Sequence, residues 1–251
     1  VLLGCAAPGE RAVRLTVIGL PGGTSSLEVL TYLGLGLAAG MAGPLLPGLI
    51  DRAREAVART RLPLVLRLAA GGLIVGVLST RVPEVWGNGY SVVNGFLHEP
   101  WLWQTVALVL ICKVLATAAS AGSGAVGGVF TPTLFCGAAL GLLYGTGMHA
   151  LLPGAAPVPV SYAVVGMGAL LAATTHAPLM SILMIFEMTL SYQVVLPLML
   201  ACITGYVTAH AAGAPSVYAR ALARNQEDAR DDAQHLQPSS PEVSPSDSTQ
   251  K

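Results

Sequence analysis

The segment 120–132, SAGSGAVGGVFTP, carries glycines at 122, 124, 127 and 128 and a proline at 132. Glycine lets a backbone turn tightly and come close to a ligand. Pro132 suits the first turn of a helix, where a missing N–H is not felt. The pattern predicts a loop feeding a helix N-terminus. Such an end presents free N–H groups and the positive pole of the helix dipole. Gly122, Ser123, Gly124, Gly127, Gly128 and Pro132 are therefore candidates for the loop of an anion site that needs no cationic side chain. Partial charges suit an ion that must leave again, because conduction requires weak binding. On spacing alone, a flexible connection without a ligand is as good a reading. The loop is not a phosphate loop, since the Gly-Lys-Ser/Thr ending is missing.

Few other residues offer chemistry. Between Pro100 and Ala219 the only Asp, Glu, Lys or Arg side chains are Lys113 and Glu187. An intramembrane acid can carry protons, but Glu187 ends an apolar run and reads better as a structural acid near an interface. Lys113 reads as a pairing or snorkelling residue. His176, before Pro178, reads as a cap or packing residue, because no second metal ligand lies near it in sequence. Tyr218 reads, on its own, as an interfacial anchor. The four cysteines, Cys5, Cys112, Cys136 and Cys202, are far apart and give neither a metal nor a disulfide framework. No nucleophile–base pair or metal cluster is present, so an enzyme is not expected.

The elements that must position the glycine break are apolar. Of the 251 residues, 53% are hydrophobic and 10% charged, against about 25% charged in soluble domains. The 29 glycines fit helices that pack closely in a bilayer. Full spans are expected at 27–50, 64–80 and 102–121, the first with Gly36, Gly40 and Gly43 on one packing face. Beyond the break, the apolar segments 133–152, 162–174, 179–190 and 194–212 are short and interrupted by Gly and Pro, and several are too short to cross upright. Broken segments are tolerated where backbone faces protein or a wet cavity. Arg52, Arg54, Arg59, Arg61 and Arg67 cluster around the first connection and place it in the cytoplasm. Residues 1–26, with no initiating methionine and no signal-peptide layout, read as the remnant of a preceding segment. Residues 225–251 are polar and expected to be a disordered cytoplasmic tail. With zero net charge and no basic–aromatic cluster, nucleic acid is not an expected partner.

The block GSGAVGGVFTPTLFCGAALG (122–141) resembles the second anion-binding segment of the CLC chloride channels and chloride/proton antiporters. WGNGYSVVNGF (86–96) resembles that family's loop into the following membrane segment. GMGALLAATTHAPLMSILMIFEMT (166–189) resembles its penultimate helices, and APSVYARAL (214–222) its C-terminal segment with the pore tyrosine. The blocks lie in the family order, and the bacterial voltage-gated-type branch is the most similar. The resemblance implies that the backbone N–H groups of Val129 and Phe130 bind chloride and that the Tyr218 hydroxyl donates to the same ion. It also implies two inverted repeats, of which this chain holds the second. A serine-bearing anion motif and a gating glutamate belong to the first, and residues 1–26 contain neither.

The expectations are then an all-α polytopic membrane protein with tilted and broken helices, residues 27–224 forming the second-repeat transmembrane domain. The expected function is chloride transport, as a channel or a proton antiporter, with this chain supplying the C-terminal half of the anion pathway. No cofactor is expected, and chloride is cargo. The expected setting is the bacterial inner or plasma membrane, with homodimerisation near residues 179–212. The competing readings are a non-transporting fragment and a secondary transporter of another small anion, such as fluoride.

Overall fold

The computed structural model describes residues 26–60, 63–87, 89–98, 101–125, 127–153 and 157–236, and every regular element among them is helical. In chain order these are α1 (Ser26–Ala42), α2 (Leu45–Arg59), α3 (Leu64–Arg81), a 3-10 turn (Pro83–Val85), α4 (Tyr90–His98), α5 (Trp103–Gly122), α6 (Phe130–Leu151), α7 (Pro159–Thr175), α8 (Pro178–Thr189), α9 (Tyr192–Ala211) and α10 (Val217–Leu236). The chain falls into two units, one through Ser216 and one from Val217 onward. Among the described residues of the first unit, five helical stretches are long and apolar enough to cross a bilayer: 27–59, α3, α5, α6 and α9. Helices α7 and α8 are shorter. Both begin on a proline, which is pre-set for the first helical turn. Both end on a non-glycine residue in the left-handed region, His176 at φ 59 and Leu190 at φ 48.

Helix α7 is the centre of the first unit. Every side chain from Ser161 to Thr174 is buried, against α1, α6, α8 and α9. In lipid there is little hydrophobic drive between helices, so close backbone approach must hold them. Gly137 on α6 faces Gly166 on α7 so closely that a Cβ added to Gly137 would lie 2.6 Å from the Gly166 carbonyl oxygen. Two of the three glycines expected on one packing face share it: Gly36 and Gly40 lie against Thr204, Gly205 and Thr208 of α9, whereas Gly43, just beyond α1, lies against Ala173 of α7. A polar knot ties α1 to α6 and α7. The Tyr162 hydroxyl donates to Thr31 Oγ1 (2.8 Å) and the Tyr144 hydroxyl to the Thr31 carbonyl (3.0 Å). Thr31 Oγ1 in turn donates to the Glu28 carbonyl at 2.8 Å.

Several elements depart from the sequence expectations. The single span 27–50 is two helices that part at Gly43–Pro44, because Pro44 has no N–H to continue the ladder. Segments 133–152 and 194–212, placed among the short ones, correspond to the long helices α6 and α9. Helix α4 and the 3-10 turn lie in a connection that was not assigned structure. The tail expected to be disordered from residue 225 is helical through Leu236. That stretch, NQEDARDDAQHL, is polar but holds neither Gly nor Pro and mixes charges of both signs. Polarity removes a reason to pack, not the propensity to be helical. The remainder of that tail, and all of the N-terminal segment but Ser26, lie outside the described residues.

Candidate anion site at the glycine break

Helix α5 ends at Gly122 and α6 starts at Phe130, so residues 123–129 join the negative pole of one helix to the positive pole of the next. The two ends are treated differently. At the end of α5 the last carbonyls are satisfied in series. The Ser123 N–H donates to the Ala119 carbonyl at 3.0 Å and Ser123 Oγ to the Ser120 carbonyl at 2.8 Å. Arg54 Nε, reaching over from α2, donates to the Ala121 carbonyl at 2.9 Å.

At the start of α6 no side chain among the described residues caps the helix. Val129 occupies the cap position at φ −82, ψ −14 and makes no side-chain cap bond. Its carbonyl accepts twice from Thr133, from the N–H at 3.1 Å and from Oγ1 at 2.7 Å. That pair anchors the first turn by its oxygen and leaves the amide edge of Val129 and Phe130 unspent on a side chain. Pro132 sits within this turn, where the missing N–H breaks no helical bond. An uncapped N-terminus carries about half an elementary charge of positive character. Such partial charge attracts an anion weakly, the kind of binding from which an ion can leave again.

The loop is gripped at its α5 side and open at its α6 side. A Cβ at Gly122 would stand 2.9 Å from the Ala53 Cβ, so α2 can approach only because that residue is glycine. Ser123 is buried against Gly71 of α3. Gly124 turns the chain at φ +96, a conformation that favours glycine. At Gly127 and Gly128 an added Cβ would meet nothing within 4 Å, and neither has a positive φ. Packing among the described residues therefore does not explain those two glycines.

Of the residues singled out in the sequence, Gly122, Ser123, Gly124, Gly127, Gly128, Val129, Phe130 and Pro132 thus share one short connection. Tyr218 stands in the first turn of α10, in the separate C-terminal unit, and is 58% exposed. Lys113 does not snorkel. It is 5% exposed, and its ammonium donates to the carbonyls of Val85 (2.8 Å) and Gly87 (2.7 Å). His176 ends α7 and packs edge-on against Tyr206 and His210, the packing role its sequence context predicts. Glu187 is exposed in the last turn of α8. Arg54 was read only as a topology signal. Its contact with Ala121 spans 67 positions of sequence and has no local signature.

Residues 9–210 match the family model described as Voltage gated chloride channel. A putative chloride channel protein ClcB-like of Ralstonia nicotianae is 89% identical over 216 residues, covering 86% of this chain and 49% of that protein. The voltage-gated ClC-type chloride channel ClcB of Citrobacter koseri is 48% identical over 191 residues, covering 76% of this chain and 46% of its own length. Among solved structures, a slow cyanobacterial Cl−/H+ antiporter superposes with a TM-score of 0.73 at 30% identity, over 83% of this chain and 50% of that one. The chain thus spans about half the length of the relatives it matches.

Proposed function

This chain belongs to the voltage-gated chloride channel family, and on that premise we propose that it forms the C-terminal half of a chloride pathway, either a channel or a chloride/proton antiporter. It is a multi-pass membrane protein, with five stretches able to span among the described residues. The observation that carries the proposal is the pair of unlike helix ends: α5 closed by Ser123 and Arg54, α6 uncapped at Val129. In the proposed site the N–H groups of Val129 and Phe130 hold chloride. Gly127 and Gly128 leave room for the ion and for the other half of the site. Tyr218 is the proposed hydroxyl donor, supported by its place in the 214–222 block. The names of the relatives support chloride as the cargo.

The proposed setting is the inner membrane, with the Arg52–Arg67 side and the tail from residue 225 in the cytoplasm. Homodimerisation is proposed on α8 and α9, whose outward residues Leu183, Tyr192, Leu196 and Ile203 form an apolar surface. The role is one of transport rather than of catalysis.

The test is chloride efflux from liposomes. One sample carries this chain, and another carries a chimera in which it replaces the matching 49% of the Ralstonia relative. The chimera is expected to release chloride, and Tyr218→Ala in it to change the rate or the anion selectivity. A chimera that inserts but passes no chloride overturns the proposal.

A further inference from the structure

We infer that Arg54 is a positioning residue of the anion site, and that it acts by neutralising the negative end of α5 beside the glycine loop. The inference rests on the chloride reading of that loop. Its geometry is the long-range bond from Arg54 Nε to the Ala121 carbonyl at 2.9 Å, formed between α2 and the last turn of α5.

The last carbonyls of a helix have no intrahelical partner and carry about half a negative charge between them. At the end of α5 that charge adjoins the segment that would hold an anion, and it opposes the favourable field of α6. Ser123 satisfies two of these carbonyls, at Ala119 and Ser120, but a hydroxyl and an amide bring no net charge. Arg54 brings a full positive charge to a third. Guanidinium is the side chain suited to this duty, because it stays ionised and offers donors in a rigid plane. The adjoining residue reinforces the placement: Ala53 lies against Gly122, so the α2 backbone is seated on the very turn that Arg54 caps. Arg54 therefore holds the loop in register and tilts the local field toward anions.

The inference separates charge from hydrogen bonding, and so does its test. Isothermal titration calorimetry with sodium chloride is run on the purified full chain and on the chimera, each as wild type, Arg54→Lys, Arg54→Gln and Arg54→Met. Thermal unfolding in chloride-free buffer is recorded for each. A cation near a helix C-terminus stabilises that end by an amount equal to roughly a two- to fivefold change in an equilibrium, and its effect on chloride binding beside that end is expected to be of the same order. Gln and Met are both expected to weaken chloride binding by about that factor, while Lys stays within about twofold of wild type. Having two uncharged variants guards against one of them failing to fold. Unchanged chloride affinity in the uncharged variants overturns the role of Arg54, whatever happens to their unfolding midpoints. A Lys variant as weak as Gln overturns the electrostatic account. Wild-type protein that binds no chloride in either form removes the chloride reading itself, and the role of Arg54 with it.

Discussion

The ammonium of Lys113 lies 5.5 Å from the centre of the Phe135 ring, which sits on α6 one to two turns beyond the anion-loop end. The same ammonium grips the Val85 and Gly87 carbonyls, so one α5 side chain joins the turn before α4 to the body of α6. Lys113→Met produces two opposing effects. Removing a buried charge relieves a desolvation penalty of several kcal/mol. Orphaning two carbonyls costs about 1–3 kcal/mol for each that stays dry. The global unfolding midpoint is therefore expected to move little, while the turn loosens. Hydrogen–deuterium exchange should show residues 84–87 exchanging about tenfold faster or more, with α7 unchanged. Unaltered exchange in that turn would show that Lys113 does not hold it.

A second prediction contrasts two glycines of one helix. Gly137→Ala places a Cβ 2.6 Å from the Gly166 carbonyl oxygen, and backbone cannot step aside as a side-chain tip can. Overpacking of this kind costs about 1–3 kcal/mol. Gly147, also within α6, has nothing within 4 Å of an added Cβ. Gly147→Ala should therefore stabilise by about 0.5–1 kcal/mol, the usual gain for alanine inside a helix. Thermal unfolding in detergent measures both, and equal shifts of the same sign would contradict the packing account.

Much of this was legible in the sequence. The scarcity of charge between Pro100 and Ala219 announces the membrane, and the glycine break marks the point where α5 gives way to α6. Those signals are local in composition, and so they can be read along the chain. The split of α1 from α2 was misread because Gly43 and Pro44 lie inside one apolar run, and hydropathy does not register a missing N–H. The part of α10 from residue 225 was misread because its polarity looked like disorder, although polarity alone does not unmake a helix. The contacts of Arg54 and Lys113 were invisible for another reason: both side chains donate to backbone carbonyls, which every residue possesses. A donor whose partner has no residue identity leaves no pattern to find.

A third prediction concerns the knot that ties α1 to α7. Tyr162 is fully buried and donates to Thr31 Oγ1 at 2.8 Å. Tyr162→Phe removes the donor and should cost about 1 kcal/mol. Thr31→Val leaves the buried phenol without its acceptor and should cost about 1–3 kcal/mol. The double variant should fall short of the sum by about 1 kcal/mol, because the second change no longer orphans anything. A double-mutant cycle by thermal unfolding reads that coupling, and strict additivity would mean that the bond contributes nothing.

The sharpest prediction follows from which atoms the proposed site uses. If Val129 serves through its N–H alone, its side chain is free to vary and its amide is not. Val129→Ile keeps the amide and should leave chloride affinity unchanged. Val129→Pro deletes the N–H while suiting the backbone: Val129 already lies at φ −82, near the value proline imposes, and the preceding Gly128 has no Cβ to clash with the ring. The first turn of α6 should survive, since its anchor is the Val129 carbonyl, which proline retains. Losing one hydrogen bond to an ion removes about 1.5–3 kcal/mol, or roughly ten- to a hundredfold in affinity. Calorimetric titration with chloride distinguishes the two variants, and circular dichroism checks that the helix persists. Equal affinity in Val129→Pro and wild type would remove this amide from the site. A loss in Val129→Ile as large as in Val129→Pro would mean that side-chain packing, not the N–H, governs the ion.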